Sequence, residues 1–145
     1  MNQRTQFPAR HAVHTFDGRG GTITAAREHA QRFLEQCVPP LSEAALQDAL
    51  LLVSELVTNS VRHAPGPCTL ALAEDRQRLT VTVSDSSRSE PRARTPDLVA
   101  GTGGFGWHLM HRLAQRVEVE VHGTGGKSIT ATLCSPRRPP RRGDG

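Results

Sequence analysis

The chain has 145 residues, enough for one domain with a full hydrophobic core. Hydrophobic residues make up 36% and charged residues 22%, the balance of a soluble globular protein, and no apolar run reaches the roughly eighteen residues of a membrane span. With four Phe, one Trp and no Tyr, the core must be Leu, Val and Ala, and platforms for stacking single-stranded nucleic acid are missing.

The net charge of +4 and pI near 9.8 suit nucleic acid at first sight. The excess, however, sits in a Pro-rich end: Arg137, Arg138, Arg141 and Arg142, with Asp144 offsetting one of them. That composition reads as a disordered, solubilising tail over 136–145, and direct nucleic-acid binding is not expected. Cys37, Cys68 and Cys134 are odd in number and widely spaced, which argues against a disulfide framework or a metal knuckle and fits a reducing cytoplasm. Met1 to Arg10 is polar, carries no signal peptide and reads as a loose N-terminus over 1–10, leaving one domain over 11–135.

His11 to Phe16 alternates like an edge strand, and Asp17-Gly-Arg-Gly-Gly21 is a turn. Thr24 reads as the N-cap of a helix from Ala25 to about Cys37, with Ala26, Ala30, Phe33, Leu34 and Cys37 as its buried stripe, stopped by Pro39 and Pro40. Ser42 caps a second helix, Glu43 to about His63, with Leu46, Leu50, Val53, Val57 and Val61 as the core stripe. Glu55, Asn59 and Arg62 lie on a flank of that stripe, where they can line a pocket while the helix still packs. Glu55 and Asn59 are four apart and so stack on one face, a carboxylate above an amide. Pro65-Gly66-Pro67 ends the helix.

Cys68–Ala73 and Leu79–Ser84 alternate as two strands around the turn Asp75-Arg76-Gln77. Leu79, Val81 and Val83 share a face, and Asp85 falls on the same face at the strand end. Residues 86–100 have no period and read as a lid or loop. Gly101-Thr-Gly-Gly-Phe-Gly106 leads into a helix from Gly104 to Arg116. Val117–Val121 and Ser128–Leu133 alternate around His122-Gly-Thr-Gly-Gly126, with Lys127 read as a solvated turn residue. The order predicts a two-layer α/β sandwich: a mixed, mostly antiparallel sheet covered on one face by helices.

Four stretches in this order carry a resemblance. Glu55-Leu-Val-Thr-Asn59-Ser-Val-Arg62-His63-Ala64 resembles the N box of the GHKL ATPase superfamily, which includes gyrase B, Hsp90, histidine kinases and MutL. Val83-Ser84-Asp85 is similar to its first adenine-side box, Gly101 to Leu109 to its glycine-rich lid end, and Gly125-Gly126-Lys127-Ser128-Ile129 to its final strand. The likeness runs from His14 to Leu133 and is nearest to the RsbW and SpoIIAB group of anti-sigma factor serine kinases. It implies the Bergerat ATP-binding fold, with ATP and Mg²⁺ as cofactors. Asn59 would ligate Mg²⁺, Glu55 would polarise the attacking hydroxyl or water, and Arg62 would stand near the phosphates. Asp85 would accept from the adenine amino group, and Ser128 would stand beside the base. Gly101, Gly103, Gly104 and Gly106 would let the backbone approach the phosphates at a helix start. The implied partners are a sigma factor and a STAS-type anti-anti-sigma factor, and the implied assembly is a homodimer. Ser87 stands where many members have Gly, which keeps a second expectation open: a catalytically weak, nucleotide-gated protein-binding module of the same fold.

Overall fold

The computed structural model describes residues 10–64, 66–75, 78–86, 104–123, 125–134 and 136–137. In chain order the elements are β1 (Arg10–Phe16), α1 (Thr22–Glu35), α2 (Glu43–His63), β2 (Cys68–Glu74), β3 (Arg78–Asp85), α3 (Gly104–Leu113), β4 (Arg116–Val121) and β5 (Lys127–Cys134). The strands form one sheet in the order β1-β2-β3-β5-β4. Every neighbouring pair is antiparallel, so the sheet is not mixed as the element order suggests. The reason is topological. The crossover through α3 leaves β3 and β4 running the same way, but the β4–β5 hairpin inserts β5 between them, and no parallel ladder forms.

Period-two patterning decides which face the helices cover. On β3, Leu79, Val81 and Val83 are buried while Thr80, Thr82 and Ser84 are half-buried. On β5, Lys127, Ile129, Ala131 and Leu133 are buried and alternate with Ser128, Thr130 and Thr132. The helices lie over the first set. The opposite face is a hydroxyl surface whose cross-strand pairs bond to each other: Thr15 to Thr69 at 2.9 Å, Thr82 to Thr130 at 3.0 Å and Ser84 to Ser128 at 2.8 Å. Such pairs stabilise a solvated sheet face without an apolar cover.

α2 runs where the sequence places it, with the Ser42 hydroxyl accepting from the Ala45 amide at 3.1 Å. Its buried stripe is wider than the predicted one. Leu50, Val53 and Val57 are buried as read and are joined by Ala45, Ala49, Leu52 and Leu56, whereas Leu46 and Val61 sit at the edge of the core. The small side chains at 45 and 49 face inward because α2 is packed between α1, α3 and the sheet. α1 begins at Thr22, not after Thr24, and Gly21 caps it without a side chain. The Asp17 carboxylate ties the preceding turn to the helix start, accepting from the Arg19 amide at 2.8 Å and the Thr22 hydroxyl at 3.3 Å. In the same loop Gly18 has φ +81° and a Cβ there would stand 1.9 Å from the Gly66 carbonyl oxygen. The loop before α1 and the loop after α2 therefore meet backbone to backbone, which fixes the C-terminal end of α2 over the sheet.

Arg10 is the first residue of β1, and Arg137 bridges to Leu41 beyond the last strand. Between them lies Glu74, buried at the end of β2. Arg10 Nε donates to it at 2.6 Å and an Arg137 guanidinium nitrogen at 2.9 Å. Arg137 also donates to the Pro39 and Asp75 carbonyls, and Arg10 lies 4.1 Å over the Phe33 ring and donates to the Phe33 carbonyl. Burial alone would raise the Glu74 carboxyl; the hydrogen bonds from Arg137 and Arg10 outweigh it and hold the group below the ordinary carboxylate range. Burial, then the Glu74 charge, pushes the neighbouring Cys37 thiol up, so it stays protonated and unreactive.

Because the folded-state pKa of Glu74 is depressed, its contribution is present above the unfolded value of about 4.5 and is lost as pH falls through the folded value. Arg137→Ala is expected to cost about 1.5–3 kcal/mol, the worth of hydrogen bonds to a charged group. Urea melts at pH 7 should show the deficit, and it should shrink as the pH is taken below 4.5. Equal midpoints for wild type and variant at pH 7 would remove Arg137 from the fold's stability.

Candidate functional site

Of the predicted residues, Glu55, Asn59 and Arg62 lie along the C-terminal half of α2, which packs over β2, β3 and β5, and Asp85 ends β3. Glu55 and Asn59 are both half-buried on the flank of α2, one turn apart. The Asn59 side-chain oxygen is buried and, among the described residues, has no hydrogen-bond partner. A buried amide oxygen left unbonded is costly, on the order of 1–3 kcal/mol. A neutral hard oxygen of this kind is a ligand suited to Mg²⁺, so the residues present fit that ion. Arg62 lies in the last turn of α2 and is exposed.

Ser60, next to Asn59, is buried beside Cys68 at the start of β2, and Cys68 in turn senses the charge of Asp85 at the end of β3. α2 packs over β2, β3 and β5, the strands that carry Cys68, Asp85 and Lys127. Asp85 lies on the helix-covered face, as the alternation of β3 predicts. It does not stand alone there. Lys127, directly opposite it in the β3–β5 register, donates to both carboxylate oxygens at 2.9 and 3.2 Å. The two side chains are 1% and 2% exposed. Lys127 is thus a buried residue of β5, not a solvated turn residue. Gly126 makes the approach possible: its φ is +97°, and a Cβ there would stand 2.4 Å from the Asp85 carbonyl oxygen.

Ser128 is not brought to Asp85. It is one residue along β5 and points to the open face, where its hydroxyl bonds Ser84 at 2.8 Å and lies 2.9 Å from His122 Nε2. The side chain that does stand beside Asp85 is its neighbour Lys127. The glycine stretch is described in part. Gly104 and Gly106 fall in the first turn of α3, a ten-residue helix. Gly101 and Gly103 lie outside the described residues, as do Ser87, the segment read as a lid, and Arg138, Arg141 and Arg142. No helix among the described residues is long and apolar enough to cross a membrane.

Comparison with known proteins bears on this arrangement. The family model described as "Histidine kinase-like ATPase domain" matches residues 18–133. A solved structure of the RsbU and RsbW domains of Rv1364c from Mycobacterium tuberculosis is similar with a TM-score of 0.61 and 22% identity, over 93% of this chain. That likeness speaks to the fold, and this chain spans 34% of the length of that one. A comparison with curated proteins gives no match.

The Asp85–Lys127 pair generates a stability test. Lys127→Met removes the cation and leaves a buried carboxylate, a change expected to cost about 3–5 kcal/mol. The Asp85→Asn, Lys127→Met double variant should recover much of that loss, since neither charge is then buried. Additive losses in chemical denaturation would show that the two groups do not depend on each other.

Proposed function

The chain belongs to the family of histidine kinase-like ATPase domains, and from that premise we propose that it binds ATP with Mg²⁺ and acts as an RsbW-like serine/threonine kinase and anti-sigma regulator. The observation that carries the reading is the Asn59 oxygen, buried and without a partner among the described residues, one helical turn from Glu55 on the helix that packs over β3, the strand that Asp85 ends. Asn59 would hold the metal; when bound, Mg²⁺ supplies charge neutralisation to the phosphate oxygens. Glu55, as a half-buried carboxylate on the same face, would orient the attacking hydroxyl and accept its proton. Arg62 adds positive charge beside the phosphates. The amides that open α3, with Gly101, Gly103, Gly104 and Gly106, would cradle them. Asp85 would accept from the amino group of the base.

Phosphoryl transfer of this kind requires positioning more than covalent chemistry, and a helix flank and a strand end are rigid places to build from. The acceptor would be a serine or threonine of a STAS-type anti-anti-sigma factor, with a sigma factor held in the alternative state. A homodimer in the cytoplasm is part of the same proposal. A second reading, nucleotide-gated capture without transfer, draws on Ser87 standing where a Gly often follows the base-reading Asp.

Calorimetry of ATP binding with and without Mg²⁺ tests the metal assignment. Wild-type binding should depend on Mg²⁺, and Asn59→Ala should weaken it about tenfold or more while leaving metal-free binding near its wild-type value. No binding at millimolar ATP would sink the kinase reading. Glu55→Ala should retain ATP binding and lose about 10²–10⁴-fold in phosphorylation of a STAS partner. Unchanged phosphorylation in that variant would remove Glu55 from the chemistry, and no phosphorylation by wild type would favour the capture reading.

A further inference from the structure

We propose that Lys127 is a second base-reading residue, donating from its ammonium to the ring nitrogen beside the amino group that Asp85 accepts from. This rests on the nucleotide reading above and deepens it. A carboxylate facing a purine offers acceptors only. The Asp85–Lys127 pair offers an acceptor and a donor side by side on the same sheet face, 2.9 Å apart, at directly opposed positions of β3 and β5. Adenine presents the complementary pattern, an N6 amino donor flanked by N1 and N7 acceptors. Side-chain carboxamides read that base through the same acceptor-plus-donor combination.

Three observations favour this role over a merely structural ion pair. The pair lies at the site end of the sheet, beside Cys68 and beneath the Ser60 turn of α2, not among the apolar residues midway along the strands. The ammonium carries three donors and stands against both Asp85 oxygens, at 2.9 and 3.2 Å, so a group that Asp85 accepts from would meet it as well. The side chain expected beside the base, Ser128, is committed to Ser84 and His122 on the opposite face and leaves that position to Lys127. The pair also sets what the pocket asks of a ligand. A base entering it replaces a bond within a neutral pair, not the hydration of an isolated carboxylate, so affinity should rest on both hydrogen bonds together.

The test measures binding of ATP, 1-deaza-ATP and 7-deaza-ATP to the wild-type chain by calorimetry. Removing the ring nitrogen that Lys127 reads should weaken binding about 10- to 100-fold with one of the two analogues, the worth of a hydrogen bond from a charged donor. In Lys127→Met, with its fold checked by thermal melting, ATP and that analogue should bind alike. ATP binding that is indifferent to both analogues overturns the Lys127 assignment and leaves the nucleotide reading standing. So does an analogue penalty that persists in Lys127→Met. Failure of all three triphosphates to bind overturns both. The wild-type comparison decides whether or not the variant folds.

Discussion

Two opposite charges held out of water at the strand ends constrain much of this structure. A buried carboxylate or ammonium costs several kcal/mol on its own, so Asp85 and Lys127 are tolerable only while they face each other. That condition fixes the β3–β5 register. A one-residue slip would carry Lys127 to the hydroxyl face and bring Ser128 or Gly126 opposite Asp85. It also fixes Gly126, because any side chain there would collide with the Asp85 backbone and lever the strands apart. The same pairing turns the Asp85 carboxylate inward, under α2, where a ligand seated between the layers would meet it.

The proposed site would divide its tasks between two kinds of element. The helix would supply chemistry through Glu55 and Asn59, both half-buried on its flank. The sheet would supply recognition through Asp85 and Lys127, whose side chains are enclosed. What joins the two is a packing contact between backbones, Gly18 against Gly66, together with the Ser60–Cys68 contact. The geometry of the site therefore depends on loops that contribute no functional group. The unbonded Asn59 oxygen is the local cost of this arrangement, since an apolar residue there would pack without leaving an orphan acceptor.

Much of this was legible in the sequence, and the misses have physical causes. α2 was legible to the residue because its signals are local: a Ser42 cap at one end and Pro65-Gly66-Pro67 at the other. The start of α1 was not, because its N-cap is Gly21, which offers no capping side chain and sits in a glycine turn whose shape is set by a distant loop. Asp85 was legible from period two. Lys127 was hidden by a strand boundary one residue short: extended by one position, the alternation of Ser128 to Leu133 puts Lys127 on the apolar face and Ser128 on the polar one. Arg137 was hidden by its company. A Pro- and Arg-rich end reads as solvated, and nothing local announces that its partner is a buried carboxylate 63 residues earlier.

The Arg10–Glu74–Arg137 cluster lies at the end of β2 away from Cys68, and so at the far end of the sheet from Asp85. It gathers the first residue of the first strand and the segment after the last strand onto one carboxylate. A load on the chain beyond Arg137 would therefore meet the Glu74 carboxylate, and the Pro39 and Asp75 carbonyls, before it met the β5 ladder.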